Sequence, residues 1–293
     1  MSLASFMMRR GCKKSDAKRD AGLTTPMDVE RFDHIFYGPN KMNVLDVYRP
    51  KNKEGEVLPV IVSVHGGGWV YVDKELYQHY CMSLARRGFA VVNFTYRLSP
   101  EYKFPCHLED TVAVFKWVMK NADHYGLDRK NIFAVGDSAG GHILSLFCIL
   151  CTNSEYADKY IFKVPEGFVP KAVALNCGVY DLELAISGAS NTKKLMKDIL
   201  PGRGTAQEFR LISPVNHVKD KFPPCYIMTA NEDFLKDQPK PLMKKLDQLG
   251  VPYQYKMYGD ESNVLGHVFH FDMRNEIGKL CNDEQCEWFR EFL

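Results

Sequence analysis

The sequence predicts an α/β fold in which a mostly parallel sheet of about eight strands carries helices on both faces. Short runs rich in β-branched residues alternate with longer segments whose apolar residues recur at helical spacing. Residues 59–64 (Pro-Val-Ile-Val-Ser-Val) are almost entirely apolar, which is typical of a strand buried on both faces. Alternating strands and helices favour parallel pairing through helical crossovers. With 293 residues, 45% of them hydrophobic, the chain suits a single globular domain over 1–293.

Turn and helix-end signals separate the individual elements. Residues 38–41 (Gly-Pro-Asn-Lys) divide the first two strands, and Gly88 ends the first helix that follows the third strand. The predicted strands cover residues 33–37, 44–48, 59–64, 90–94, 131–135, 172–176, 224–229 and 253–258. The predicted helices cover residues 76–87, 108–121, 142–151, 236–248 and 274–292.

Two segments fall outside this alternation. Residues 182–221 form a polar interval with two glycine-containing stretches, and a basic segment precedes the first strand. Ligands of open α/β sheets bind at the carboxyl ends of the strands, where an insertion can cover the site. We therefore expect a small helical cap built from approximately residues 1–28 and 182–221.

The charge and cysteine content exclude several classes of protein. The net charge is +2, and six of the 38 basic residues lie in the first twenty positions with two acidic ones, so the remaining chain carries −2. Such a balance argues against a nucleic-acid partner. No apolar stretch approaches the ~18–20 residues of a membrane span, so stable membrane insertion is not expected. Nine cysteines, an odd number, favour reduced thiols and a cytoplasmic location.

The clearest chemical motif is Gly136-Asp137-Ser138-Ala139-Gly140, a G-x-S-x-G between a predicted strand and a predicted helix. A nucleophilic serine in this setting sits on a tight turn, where small neighbours let the chain fold back and expose the hydroxyl. The helix that follows directs its positive N-terminal end at a developing anion. The motif therefore predicts Ser138 as a nucleophile.

A second motif, His65-Gly66-Gly67-Gly68-Trp69, directly follows the buried strand at 59–64. Consecutive glycines leave backbone N–H groups open to a substrate oxygen, because no Cβ stands in the way. In sheets of this type the loop after this strand supplies a donor to the oxyanion hole. The alternative interpretation is a flexible turn.

A serine nucleophile needs a base and an orienting carboxylate, which follow it in the order acid and then histidine in this type of sheet. The loop after the strand at 224–229 offers Glu232, Asp233 and Asp237. The loop after the last strand offers His267, which follows the flexible Gly266, and also His270. Spacing alone leaves these alternatives open.

Four motifs together resemble the hormone-sensitive-lipase-like bacterial esterases of the α/β-hydrolase fold, over the chain from about Asp33 to its end. They are His65-Gly66-Gly67-Gly68, Tyr96-Arg97-Leu98-Ser99-Pro100-Glu101 with Phe104-Pro105, Gly136-Asp137-Ser138-Ala139-Gly140-Gly141 and His267-Val268-Phe269. The resemblance implies a triad of nucleophile Ser138, acid Asp233 and base His267. It also implies an oxyanion hole formed by the backbone N–H groups of Gly67, Gly68 and Ala139.

The sequence departs from the family pattern at three positions. Phe234 stands where proline often follows the acid, Ser99 stands where alanine is usual, and Val268 replaces the glycine of His-Gly-Phe. The histidine that follows keeps His270 as a rival to His267 for the role of base.

The resemblance implies a cofactor-independent hydrolase of small or short-acyl esters that works through an acyl-enzyme, with no metal. It also implies a possible homodimer, since dimers are common in the family. Trp69, Tyr71 and Phe269 adjoin the motifs and are expected pocket walls. The alternatives are an amidase or acyltransferase with the same triad, and an inactive α/β-hydrolase that binds a small molecule.

Overall fold

The computed structural model describes residues 1–187 and 192–293, and its centre is one eight-stranded sheet. The strands are β1 (Val29–Phe36), β2 (Val44–Pro50), β3 (Leu58–Val64), β4 (Ala90–Phe94), β5 (Leu127–Asp137), β6 (Val173–Asn176), β7 (Cys225–Ala230) and β8 (Tyr253–Tyr258). Their order across the sheet is β1-β2-β4-β3-β5-β6-β7-β8. Only the β1–β2 and β2–β4 pairs are antiparallel. The predicted fold, a mostly parallel sheet in an α/β-hydrolase order, is therefore confirmed.

Ten α-helices lie within the described part of the chain. They are α1 (Leu3–Asp20), α2 (Lys74–Ala85), α3 (Cys106–Tyr125), α4 (Ala139–Thr152), α5 (Ser154–Ala157), α6 (Leu182–Ser187), α7 (Thr192–Ile199), α8 (Ala206–Ile212), α9 (Pro239–Leu249) and α10 (Glu276–Arg290). Local signals set several ends: the Asp73 side chain accepts hydrogen bonds from two amides at the start of α2, and Gly126, at φ 59°, ends α3. Five of the helices match the predicted ones within a few residues.

Two hydrophobic clusters cover the two faces of the sheet. In β3, Val60 and Val62 belong to the cluster that includes residues of α3, α4 and α9, whereas Ile61 belongs to the cluster with α2 and α10. This division follows from the strand geometry, because successive side chains point to opposite faces. All three residues are fully buried, which explains why the strand is apolar on both faces.

The segments expected to form a cap contain α1, α6, α7 and α8. Helices α1 and α7 are joined where the Ser2 amide and the Ser5 hydroxyl both donate to Asp198 Oδ2, each at 2.6 Å. Arg9 of α1 donates to the carbonyl oxygen of Val70, in the segment after β3, at 2.7 Å. Residues 188–191 of the expected cap lie outside the described part of the chain.

Across residues 1–187 and 192–293, no helix combines the length and the apolar character needed to cross a lipid bilayer.

Candidate active site

Ser138 occupies a sharp turn between the end of β5 and the start of α4. Its backbone has φ 52° and ψ −118°, a conformation that a residue other than glycine adopts only when its surroundings enforce it. The Ser138 amide donates to the Asn176 carbonyl oxygen of β6 at 2.9 Å. A Cβ at Gly140 would lie 2.0 Å from the Val64 carbonyl oxygen, so this position requires glycine for the helix to approach β3. The G-x-S-x-G spacing is therefore a packing requirement of the turn.

His267 lies between Ser138 and Asp233. Its Nε2 is 3.0 Å from Ser138 Oγ, and its Nδ1 is 2.8 Å from Asp233 Oδ1. With the Nδ1 proton directed at the carboxylate, Nε2 is left to accept the serine proton. The loop after β7 brings Asp233 to this position, and the loop after β8 brings His267. Of the carboxylates and histidines that the sequence left open, Asp233 and His267 are the pair in contact with each other, and His267 also contacts Ser138.

Asp233 is almost fully buried, at 1% exposure, and its oxygens are well provided with donors. The Leu235 amide donates to Oδ1 at 2.8 Å and the Thr229 hydroxyl to Oδ2 at 3.2 Å. Burial by itself raises the pKa of this carboxyl, but the hydrogen bond and charge of His267 and the Leu235 amide outweigh it, so the pKa lies below its ordinary value. The carboxylate is therefore suited to stabilise an imidazolium at His267.

His270 lies in the core, three residues beyond His267. It is fully buried, packed edge-on against Tyr80, and neither ring nitrogen has a hydrogen-bond partner among the described residues. Burial, and next the charge of His267, lowers the pKa of His270 to about 3, so its ring is neutral. The structure therefore places His267, and not its rival, beside the serine.

The glycine loop forms a tight turn beside Ser138. Gly67 has φ 82°, its carbonyl oxygen accepts from the Val70 and Tyr71 amides, and an added Cβ would lie 2.1 Å from the Tyr71 carbonyl oxygen. Gly67 and Gly68 line the same cavity as Ser138, and Ala139 is the first residue of α4. These positions suit backbone donors that face an oxygen on the substrate.

A single phenol connects the glycine loop to the serine turn. The Gly66 amide donates to the Tyr77 hydroxyl oxygen at 2.7 Å, and this hydroxyl donates to both carboxylate oxygens of Asp137, at 2.8 and 2.7 Å. All three groups are buried. Tyr77, on α2, gave no functional signal in the sequence, because its role depends on two segments that are distant along the chain.

A second connection runs from α8 to the glycine loop. The Trp69 indole N–H donates to His142 Nδ1 at 3.2 Å, and His142 Nε2 is 2.7 Å from the Ile212 carbonyl oxygen in α8. Because Nδ1 accepts a hydrogen bond, the proton resides on Nε2 and is donated to α8. Burial lowers the pKa of His142 to about 4, which keeps this neutral form.

The serine, the histidine and the glycine loop open into a cavity of about 730 Å³. Trp69 and Tyr71 line it as expected, but Phe269 does not: it packs against Tyr258, with ring centroids 5.4 Å apart. Phe234 and Phe271 are aromatic lining residues that the sequence analysis missed. The segments expected to form a cap also contribute lining residues, namely Met8, Cys12, Asp16, Arg19, Leu184, Ala185, Ser187, Thr192 and Leu195.

One group of three potential metal ligands occurs among the described residues, namely Cys177, Asp233 and His267. Two of its members, Asp233 and His267, are the residues expected from the sequence as acid and base. Burial, followed by the charge of Asp233, raises the pKa of the Cys177 thiol well above its ordinary value, which favours the protonated form over a metal-binding thiolate.

Comparisons with known proteins agree with this fold. The esterase of Gibberella moniliformis is 30% identical over 227 residues, which cover 73% of this chain and 68% of that protein. Esterase LipC of Mycobacterium tuberculosis is 28% identical over 206 residues, which cover 68% of this chain and only half of that longer protein. Esterase B of Lactobacillus rhamnosis has a similar structure, with a TM-score of 0.90 at 25% identity over 99% of this chain and 95% of that one.

The fold and these likenesses define an α/β-hydrolase of the esterase type, and the resemblance to hormone-sensitive-lipase-like esterases is confirmed. A model of the BD-FAE family matches residues 45–246, more than two thirds of the chain. The chain therefore belongs to the BD-FAE family.

Proposed function

We propose that this protein hydrolyses carboxylic esters, with Ser138 as nucleophile, His267 as general base and Asp233 as the orienting acid. The observation that carries the proposal is the continuous path from Ser138 Oγ through His267 to the buried Asp233 carboxylate, with contacts of 3.0 and 2.8 Å. A catalytic serine site is recognised by the geometry of its nucleophile, base and acid and not by the order of these residues along the chain. The esterase names of the relatives support it.

The reaction has two halves. Ser138 Oγ attacks the ester carbonyl carbon while His267 Nε2 takes the hydroxyl proton, which gives a tetrahedral intermediate. His267 then gives that proton to the leaving alkoxide oxygen, and the alcohol departs from an acyl-enzyme on Ser138. Water attacks the acyl-enzyme with His267 again as base, which releases the carboxylic acid and restores the serine.

The negative oxygen of each tetrahedral intermediate needs donors that are in place beforehand. In the proposed hole, the backbone N–H groups of Gly67, Gly68 and Ala139 bind this oxygen, and the N-terminus of α4 adds its positive end. The Tyr77 bridge between Gly66 and Asp137 supports this assignment, because it holds the glycine loop against the serine turn. Losing one such donor typically lowers turnover by ~10²–10³-fold.

The substrates are proposed to be small or short-acyl esters. The cavity, at about 730 Å³, lies within the ordinary range for sites that bind small molecules, and many of its lining residues are apolar. One structure of esterase B, 26% identical with a TM-score of 0.87, is described as inhibited by a C4-C4 tributyrin phosphonate. That inhibitor belongs to the other protein, but it makes butyrate esters a reasonable first series here.

Labelling with a fluorophosphonate, followed by peptide mapping, tests the mechanism directly. We expect one adduct, on Ser138, and loss of p-nitrophenyl butyrate hydrolysis in step with labelling. Ser138→Ala should lose both label and activity, whereas Ser154→Ala, at an exposed serine, should keep both. An adduct on another serine, or normal turnover by Ser138→Ala, would overturn the proposal. Faster turnover of the matched butyranilide than of the ester would reassign the enzyme as an amidase.

A further inference from the structure

Helix α1 carries a continuous exposed face. At about 100° per residue, nine of its residues fall within an arc of roughly 160°. Every one of them is exposed: Leu3, Phe6, Met7, Arg10, Gly11, Lys13, Lys14, Ala17 and Lys18. We call this the outer face of α1. Three large apolar side chains lie in its first two turns, and four basic side chains follow them toward the end of the helix.

The opposite face of α1 is used within the molecule. Met8, Cys12, Asp16 and Arg19 line the cavity that contains Ser138. Both acidic residues of the helix, Asp16 and Asp20, bind the Arg19 guanidinium, at 2.9 and 2.7 Å. The outer face therefore has no acidic side chain to balance its charge.

Arg9, the remaining basic residue of α1, is also engaged internally. It donates to the carbonyl oxygens of Val70 and Ser99, each at 2.7 Å, and pairs with Glu101 at 2.6 Å. The four basic side chains of the outer face have no ion pair within the part of the chain that is described. Unlike Arg9, they extend toward solvent and are available to an anionic partner.

We propose that the outer face of α1 docks on an anionic phospholipid surface. Leu3, Phe6 and Met7 enter the boundary between headgroups and acyl chains, while the basic side chains bind the lipid phosphates. Burial of apolar side chains at the headgroup boundary and attraction of basic side chains to anionic lipids both favour binding in the plane of the interface. A second copy of this chain is a poorer partner, because a twofold contact between outer faces would bring eight positive charges and no acidic side chain of this face into one interface.

Docking would bring the cavity close to the lipid surface. The outer and inner faces of α1 are separated by one helix diameter, about 10 Å. Esters that partition into the interface would then be concentrated beside the helix that lines the cavity. This consequence for substrate supply rests on the proposed function, whereas the docking itself does not.

Sedimentation with large unilamellar vesicles tests the docking without any catalysis. Wild type should bind phosphatidylcholine vesicles containing 30% phosphatidylglycerol in 50 mM NaCl, and bind pure phosphatidylcholine much more weakly. Lys13→Ser with Lys14→Ser should lower partitioning roughly 25-fold, at about fivefold per charge. Phe6→Ser with Met7→Ser should lower it by ~10-fold or more. In 500 mM NaCl, screening should remove most of the binding.

The matched control is Lys116→Ser with Lys120→Ser, two exposed lysines on α3 that do not line the cavity. It removes the same charge and should bind vesicles as wild type does. Because all the altered side chains are exposed, circular dichroism should show every variant folded, and p-nitrophenyl acetate hydrolysis in solution should stay at the wild-type rate. The proposal fails if wild type ignores the anionic vesicles, or if the two lysine pairs have equal effects. Dimerisation that Phe6→Ser with Met7→Ser abolishes, without vesicle binding, would also overturn it.

Discussion

Asp137, next to the proposed nucleophile, should make the protein less stable as the pH rises from about 4 to 7. Burial raises the pKa of its carboxyl from 3.8 to about 7, although the Tyr77 hydrogen bond and the charge of His267 oppose the change. Between pH 4 and 7 the unfolded chain releases a proton that the folded chain retains. The folded state is therefore progressively disfavoured over that interval, and the effect is complete above pH 7.

The magnitude follows from the shift of the pKa. At about 1.4 kcal/mol for each unit, a carboxyl moved from 3.8 to about 7 lowers the free energy of unfolding by about 4 kcal/mol at pH 8 relative to pH 4. Asp137→Asn removes the titrating group but keeps the shape and an oxygen that can accept from Tyr77. The variant should match wild type near pH 4 and become more stable than it, by up to about 4 kcal/mol, near pH 8.

Urea unfolding at intervals of half a pH unit from pH 4 to 8 measures this difference in the free energy of unfolding. The contributions of the other titrating groups are the same in variant and wild type and therefore cancel. The control is Asp123→Asn, at an exposed carboxyl whose pKa the hydrogen bond from Arg129 and its charge lower. This variant should have a lower free energy of unfolding than wild type, because folding favours the ionised form of Asp123. A difference for Asp137→Asn that stays constant from pH 4 to 8 would refute the reasoning.

Three further predictions concern neighbouring groups. Gly67→Ala should lower kcat/KM for butyrate esters by ~10²–10³-fold, because the new Cβ collides with the Tyr71 carbonyl oxygen and displaces a backbone donor of the proposed oxyanion hole. Unchanged kinetics would count against that hole. His142→Leu leaves the Trp69 indole N–H without its acceptor, so the free energy of unfolding, measured in urea, should fall by about 1–3 kcal/mol. An unchanged free energy of unfolding would show that this hydrogen bond does not stabilise the fold. His270→Leu should keep ester hydrolysis and make Tm fall less between pH 6.5 and 3. The reason is that the pKa of His270 is lowered from 6.5 to about 3 in the folded state, so protonation of this ring favours the unfolded chain over that interval. An inactive but folded variant would point to His270 as the base.

The parts of the site that depend on local sequence were predictable. The turn at Ser138 needs a strand before it, a helix after it and glycine where the helix approaches β3, and all of these are visible within a short stretch. The sheet was predictable for a similar reason, since buried parallel strands are apolar on both faces. Strand ends were less accurate: β5 begins at Leu127, four residues before its predicted start.

Other parts depend on contacts that no local pattern records. His267 and His270 lie three residues apart, and the choice between them follows from Val268, whose φ of 53° opens the short 3₁₀ helix at Phe269–Phe271. That turn leaves His267 beside Ser138 and directs His270 and Phe269 into the core. This is why Phe269, expected as a pocket wall, packs elsewhere. The cavity residues of α1 were missed because they acquire their role only when the helix packs beside the glycine loop.

The Tyr77 bridge links the geometry of the site to the position of one helix. The phenol oxygen contacts both the Gly66 amide and the Asp137 carboxylate, so small movements of α2 are passed to the serine turn and the glycine loop at once. The two segments are thereby held through one shared hydrogen-bond partner, which restrains the separation between the attacking oxygen and the amide donors. Tyr77, which is not one of the three triad residues, thereby helps to set the distance between the groups that react.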